Sequence, residues 1–108
     1  MIKNTILLLA LICLPFTAFA KGDPAAGKQK SAVCQACHGL DGKSVDPSYP
    51  NLAGQHASYL QKALADYRAG RRENVIMAGF AGPLTDQDIK DLAAWYSSQE
   101  GLKDLSIK

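Results

Sequence analysis

The sequence predicts an all-α fold in which three main helices are joined by loops. Three segments combine the start signals, apolar periodicity and stop signals of helices. None of the segments between them has a pattern that convincingly predicts a strand. The chain therefore has to bury its apolar residues by packing helices and loops together.

The first predicted helix begins at Asp23, an N-cap residue type, with Pro24 at the first helical position. Good helix formers then continue to about Val33. Gly39 marks the end of the segment that follows, and residues 39–50 are rich in Gly, Asp, Ser and Pro. This composition predicts a loop after the first helix.

The second helix is predicted over residues 56–69, with Gly70 as its C-terminal break. The last helix follows Thr85-Asp86-Gln87-Asp88, a variant of the capping box, and is expected to end near residues 99–101. The apolar stripes expected to face the core are Leu60, Ala63, Leu64 and Tyr67 in the second helix and Ile89, Leu92, Ala93 and Tyr96 in the last.

Residues 1–20 have the pattern of a secretory signal peptide that is removed. Lys3 provides the positive start, residues 6–14 form an apolar core, and Ala18-Phe19-Ala20 offers a cleavage site. The apolar run is too short to span a bilayer, so the mature chain, residues 21–108, is not expected to insert stably into a membrane; a retained anchor is the alternative. Cys13 leaves with the signal.

Cys34-Gln35-Ala36-Cys37-His38 spell CQACH, and CxxCH is the signature for covalent attachment of a c-type haem. Two thiols on adjacent helical turns can each add to one haem vinyl group, and His38 falls where an imidazole can bind the iron. The alternatives are a CxxC redox pair and half of a zinc site, but no second CxxC or spaced histidine pair completes a zinc shell. One covalent haem c is therefore predicted, and its apolar face adds core to a small domain that has no cysteines left for disulfides.

The ligand for the opposite face of the iron has few candidates. The mature chain has one methionine, Met77, and one histidine besides His38, which is His56. Met77 lies in the Gly- and Ala-rich residues 75–83, which are expected to form a loop on the far side of the haem, and its thioether would favour ferrous iron. His56, at the start of a helix, is the rival. If neither bound, the iron would be five-coordinate and would bind small gases.

The charge of the chain indicates no nucleic-acid or membrane partner. Eleven Lys and Arg remain after Lys3 is removed from the twelve, against ten Asp and Glu, which leaves about +1 before two haem propionates bring it to about −1. This balance argues against nucleic acid or an anionic membrane surface as the main partner. We expect a monomer that meets redox partner proteins transiently.

The mature chain resembles the short class I cytochromes c, in particular the single-haem bacterial type whose domain also occurs in tandem in di-haem carriers. CQACHG, then YPNLAGQ at residues 49–55, Met77, and PLTD at residues 83–86 follow one another as in that family. The resemblance implies a small cytochrome c fold around one haem. It also implies a periplasmic electron carrier rather than an enzyme, either free or as the haem subunit of an oxidoreductase complex. A gas-binding protein and a peroxidase are the alternatives, and both need an iron position that Met77 would block.

The resemblance also implies roles for single residues. The carbonyl of Pro50 is expected to accept a hydrogen bond from His38, which would fix the imidazole. Gly27 is expected to let the first helix cross the last at close distance, with Trp95 packed at the crossing. Contacts to the methionine sulfur or the propionates stay open, with candidates by residue type: Asn74, Tyr67, Tyr49, Arg71 and Trp95.

Overall fold

The structure is a computed structural model that describes Ile12 and residues 21–102. Within those residues it contains five α-helices and one 3₁₀ turn and no strand, which confirms the predicted all-α class. The predicted signal peptide falls outside the described residues except for Ile12. The helices are α1 (Pro24–Lys30), α2 (Gln35–His38), α3 (Ala57–Ala69), α4 (Val75–Ala81) and α5 (Asp86–Ser97), and the turn is Ser31–Cys34. No described helix has the length and apolar character needed to cross a membrane.

The first predicted helix is interrupted. Asp23 caps α1 as expected, since its side chain accepts a hydrogen bond from the Ala25 N–H at 2.9 Å. The α-helix ends at Lys30 instead of near Val33, because the Ser31 hydroxyl donates to the Lys28 carbonyl at 2.6 Å and the chain tightens into the 3₁₀ turn. Serine side chains that bond back to a carbonyl of the preceding turn disturb regular helix geometry in this way. The CQACH segment therefore leaves α1 at a new angle.

The predicted ends of α3 and α5 are largely as expected. Gly70 adopts the left-handed conformation with φ of 77° and closes α3 by donating to carbonyls of the last turn. The capping box at the start of α5 is confirmed: Thr85 Oγ1 accepts from the Asp88 N–H at 3.1 Å, and Asp88 Oδ2 accepts from the Thr85 N–H at 2.9 Å. The helix ends at Ser97, slightly before the predicted residues 99–101.

The prediction that residues 75–83 form a loop is wrong for most of that segment. Residues 75–81 form α4, and Asn74 caps it by accepting a hydrogen bond from the Met77 N–H at 3.0 Å. The cap satisfies a backbone donor that would otherwise lack a partner, which offsets the weak helix propensity of Gly79. Met77 is thus the third residue of a helix.

The core of the described residues is a small cluster between α3 and α5. The α5 stripe is buried as predicted, whereas in the α3 stripe only Leu60 is fully buried. The cluster consists of Leu60, Leu92, Ala93 and Tyr96, with Cys34, Leu52, Ala57, Leu64, Leu84 and Trp95 packed around it. Cys34 of the CQACH segment therefore contacts the core directly.

α1 crosses α5 at Gly27, which is buried. A Cβ atom on Gly27 would lie 1.9 Å from the Asp91 carbonyl oxygen and 2.8 Å from Trp95 Cβ. No side chain fits at such distances, so the close crossing that the resemblance implies for Gly27 and Trp95 is present.

A buried carboxylate joins the same two helices. Asp91 on α5 is only 3% exposed and accepts hydrogen bonds from the Asp23 N–H at 2.8 Å, from Lys30 Nζ at 2.6 Å and from Gln87 Nε2 at 2.9 Å. These donors hold the pKa of Asp91 at about 2, well below its usual value, and the Lys30 ammonium contributes most. Both ends of α1 are therefore tied to one side chain of α5.

Replacing Gly27 with Ala tests the helix crossing. We expect the G27A holoprotein to lose about 2–3 kcal/mol or more of unfolding free energy, because the methyl group would meet backbone atoms that cannot move aside. Guanidinium unfolding followed by circular dichroism measures this. Gln29→Ala, at an exposed position of the same helix, should change the unfolding free energy by at most about 0.5 kcal/mol. Equal effects of the two substitutions would contradict a close crossing at Gly27.

Replacing Asp91 with Asn tests the buried carboxylate. The folded pKa of about 2 lies below the ordinary value of 3.8, so Asp91 stabilises the fold above pH 4 and this stabilisation is lost as the pH falls from 4 through 2. D91N should lose about 1–3 kcal/mol at pH 7 and show a weaker pH dependence in that window. Denaturant unfolding at a series of pH values gives both quantities, and Glu100→Gln at an exposed position is the control. A wild-type pH profile retained in D91N would disprove the assignment.

Candidate haem site

His38 ends α2 and is buried, with 7% of its surface exposed. Its Nδ1 lies 2.9 Å from the carbonyl oxygen of Pro50. A carbonyl oxygen can only accept, so Nδ1 carries the hydrogen and donates it. The other ring nitrogen, Nε2, is then the unprotonated one of the neutral imidazole, which is the form that binds a metal ion.

The loop that carries Pro50 is closed by backbone hydrogen bonds. The Gly42 carbonyl accepts from the Leu52 N–H at 2.7 Å and from the Ala53 N–H at 3.1 Å. Gly42 has a φ of 88°, and a Cβ there would lie 2.7 Å from the Ala53 nitrogen, so the turn requires glycine. This closure brings the Pro50 carbonyl to His38, which lies 12 residues earlier in the chain, at the end of α2.

Cys34 and Cys37 are both half-buried free thiols. Cys34 ends the 3₁₀ turn and Cys37 lies in α2, so both sit on the segment that ends in His38. Burial raises the pKa of the Cys34 thiol. Tyr49 lies beside Cys37, and this neighbour is the main cause of the raised pKa of the Tyr49 phenol. No group of three or more His, Cys, Asp or Glu side chains in residues 21–102 is arranged to hold a metal ion.

Met77 and His56, the two candidates for the second axial position, differ in their surroundings. Met77 is partly buried in the first turn of α4, where the Asn74 cap fixes its backbone N–H. His56 precedes α3 and is exposed, and its side chain makes no cap hydrogen bond to that helix. Met77 is therefore the less exposed of the two.

Three of the residues considered as contacts to the methionine sulfur or the propionates have structural partners instead. The Asn74 side-chain oxygen caps α4. Arg71 Nε donates to the Asp66 carboxylate at 2.8 Å, and the Tyr67 ring lies beneath the Arg72 guanidinium, 4.8 Å from it. These partners come from turns and neighbouring segments, which residue type alone does not reveal.

Two buried polar atoms near the site have no hydrogen-bond partner among the described residues: Trp95 Nε1 and the Tyr96 hydroxyl. Trp95 packs at the α1–α5 crossing, with the Lys28 ammonium 5.5 Å from the centroid of its ring. Tyr96 belongs to the apolar stripe predicted for α5, and its hydroxyl lies beside Cys34 of the CQACH segment. The apolar periodicity does not predict this, because it does not show where a phenolic oxygen points.

Exposed apolar side chains flank both halves of the site. Val33 is 61% and Leu40 is 74% exposed, on either side of CQACH. Val75, Ile76 and Phe80, around Met77, are 92%, 60% and 46% exposed. Such a concentration of apolar surface marks a place that binds something apolar. With two thiols for thioether bonds, an imidazole nitrogen and a thioether sulfur, these residues fit a covalently bound haem.

Comparison with known proteins identifies the family. The family model described as Cytochrome c matches residues 24–100. Cytochrome c4 of Stutzerimonas stutzeri is 46% identical over 109 residues, covering 91% of this chain and 52% of that protein. Cytochrome c-554(548) of Halomonas halodenitrificans is 50% identical over 82 residues, covering 73% of this chain and 99% of that protein.

The solved structures agree with this result. The crystal structure of reduced recombinant cytochrome c4 from Pseudomonas stutzeri superposes with a TM-score of 0.71 at 48% identity, covering 75% of this chain and 47% of that chain. The chain spans about half the length of the cytochromes c4 that it matches. It belongs to the cytochrome c family, and its cofactor is the covalently attached haem c of that family.

Proposed function

We propose that this protein is a single-haem electron carrier in which His38 and Met77 bind opposite faces of the iron. In this proposal Cys34 and Cys37 hold the haem through thioether bonds. The observation that carries it is the buried imidazole of His38, whose Nδ1 hydrogen is committed to Pro50 and whose Nε2 is left for iron. The haem supplies a one-electron ferric–ferrous couple.

His38 and Pro50 keep the proximal side rigid. The hydrogen bond to the Pro50 carbonyl orients the imidazole and raises the basicity of Nε2. Because the Gly42 turn fixes that carbonyl, the imidazole would keep one orientation toward a bound iron. A ligand that keeps its orientation would keep the structural rearrangement on electron transfer small, and a small rearrangement favours fast transfer in both directions.

Met77 would act from the first turn of α4. Asn74 holds the Met77 N–H, so the residue enters the site from a fixed backbone. A thioether ligand favours ferrous iron and raises the reduction potential. Ligation by Met77 also blocks the position that a gas-binding protein or a peroxidase would need to keep open.

Redox partners would meet the protein at the surface beside α4. Ala78, Gly79 and Gly82 are exposed and small, so they leave room for a close approach, whereas Ala81 is buried and takes no part. A carrier has to release what it docks, and interfaces of this kind bury less than about 1,200 Å². The same surface would serve a free carrier or a subunit of an oxidoreductase complex.

The pattern of residues 1–20 supports export of the protein. The charged start, the apolar run and the small residues at Ala18 and Ala20 support removal of a signal peptide and release of residues 21–108 into the periplasm. We expect the mature protein to be a monomer with one haem.

Replacing Met77 tests the axial ligand. M77A should lose the sulfur-to-iron charge-transfer band, bind carbon monoxide in the ferrous state and have a lower midpoint potential, because the thioether is removed. Optical spectra of the oxidised and reduced holoprotein, with and without carbon monoxide, measure this. His56→Ala is the matched control and should keep the wild-type spectrum. A changed spectrum in H56A, or rapid carbon monoxide binding by the wild-type protein, would refute ligation by Met77.

Mass spectrometry of protein secreted from the full-length gene tests maturation and attachment. The chain should begin at Lys21 and carry the mass of one haem that survives denaturation, because thioether bonds are covalent. A18R should block cleavage, since the site needs a small residue there. The double variant C34A/C37A should lose the haem on denaturation. An intact wild-type N-terminus, or haem that is released from the wild-type chain by denaturation, would contradict the proposal.

A further inference from the structure

The Tyr96 hydroxyl is a buried polar group without a hydrogen-bond partner among the described residues. Tyr96 is 3% exposed and belongs to the core cluster with Leu60, Leu92 and Ala93. Its ring also lies against Gly42, where a Cβ would be 2.8 Å from Tyr96 Cδ1. Buried hydroxyls are rarely left unpaired, because removing the group from water costs free energy that no new hydrogen bond then offsets. Because the ring is packed between the core cluster and Gly42, the hydroxyl cannot turn toward solvent.

Cys34 and Ser31 are the polar side chains beside the Tyr96 hydroxyl. Burial raises the pKa of the phenol, so the hydroxyl keeps its proton and remains a donor. Ser31 gives its own hydrogen to the Lys28 carbonyl at 2.6 Å and cannot donate to Tyr96. The acceptors beside it are therefore the Ser31 oxygen and the Cys34 sulfur, and it forms a hydrogen bond with neither in this structure.

We propose that Tyr96 is a positioning residue of the haem site, whose buried hydroxyl donates a hydrogen bond to the thioether sulfur of Cys34. The inference rests on the proposed function, because it requires Cys34 to carry the haem. A thioether sulfur is a weak acceptor, and a donor held against it withdraws electron density from the attached ring substituent. The hydroxyl thereby favours ferrous iron and holds one haem anchor in a single orientation, without touching the iron.

Tyr96→Phe in the haem-loaded protein tests this inference, because Phe keeps the packed ring and removes only the hydroxyl. At an applied potential near the wild-type midpoint, the ferrous-to-ferric ratio should fall by about two- to fourfold. Resonance Raman spectra give a direct readout: a carbon–sulfur stretching band of the wild-type protein should shift between H₂O and D₂O, and Y96F should not show this shift. Tyr59→Phe is the control, since the Tyr59 hydroxyl is exposed and accepts from Arg72 at 3.2 Å. Y59F should keep both the ratio and the deuterium shift.

Three outcomes would overturn the inference. An absent deuterium shift in the wild-type protein excludes a donor at the thioether sulfur. An increased unfolding midpoint in Y96F with an unchanged potential shows that the hydroxyl is merely an unpaired group. Loss of the deuterium shift in Ser31→Ala, with the shift retained in Y96F, assigns the donor at the sulfur to Ser31. The sulfur-to-iron band should persist in Y96F throughout, and its absence from the wild-type protein would instead refute the proposed function.

Discussion

The close contact of α1 and α5 at Gly27 is the constraint on which the rest of the structure depends. Because no side chain stands between the two helices, the backbone of α1 rests on the Asp91 carbonyl region of α5. The Asp91 carboxylate then bonds near both ends of α1, at Asp23 and Lys30. With α1 held in place, the 3₁₀ turn that follows places Cys34 against the cluster around Leu92.

The two sides of the site are held by different means. On the His38 side a loop is closed by the Gly42 carbonyl, and a backbone acceptor at Pro50 orients the imidazole. On the Met77 side a single side chain, Asn74, starts a short helix. A backbone acceptor cannot be removed by changing a side chain, whereas a cap can. Replacement of the Asn74 cap should therefore loosen the Met77 side, whereas the His38 side should loosen on replacement of Gly42, which the turn requires.

Local signals in the sequence were sufficient for much of the fold. Asp23 with Pro24, the box from Thr85 to Asp88 and Gly70 each act on backbone groups a few residues away, so their effects can be predicted without a structure. α4 was missed because the glycines and the proline of residues 75–83 indicate a loop, while the alanines and the cap at Asn74 favour a helix. The break at Ser31 was missed because a serine next to a helix can either continue it or bond back to it.

The candidate site, too, could be predicted from the sequence only in part. CQACH and the family resemblance predicted the haem, and the family is confirmed, while the roles of single residues and of residues 1–20 stay predictions. Arg71 binds Asp66 across the turn that ends α3, and Tyr96 packs in a cluster that brings α3 and α5 together, and residue type alone predicts neither contact.

The contacts of residues 21–23 with α5 would affect how easily proteases trim a chain that begins at Lys21. The Lys21 carbonyl accepts from Gln87 Nε2 at 3.2 Å, and Gly22 packs so tightly that a Cβ would lie 2.2 Å from the Lys90 carbonyl oxygen. An aminopeptidase needs several free residues in extended form to begin trimming a chain. Cleavage after Ala20 would leave almost none, so the mature start would be resistant to exopeptidases as soon as the chain has folded.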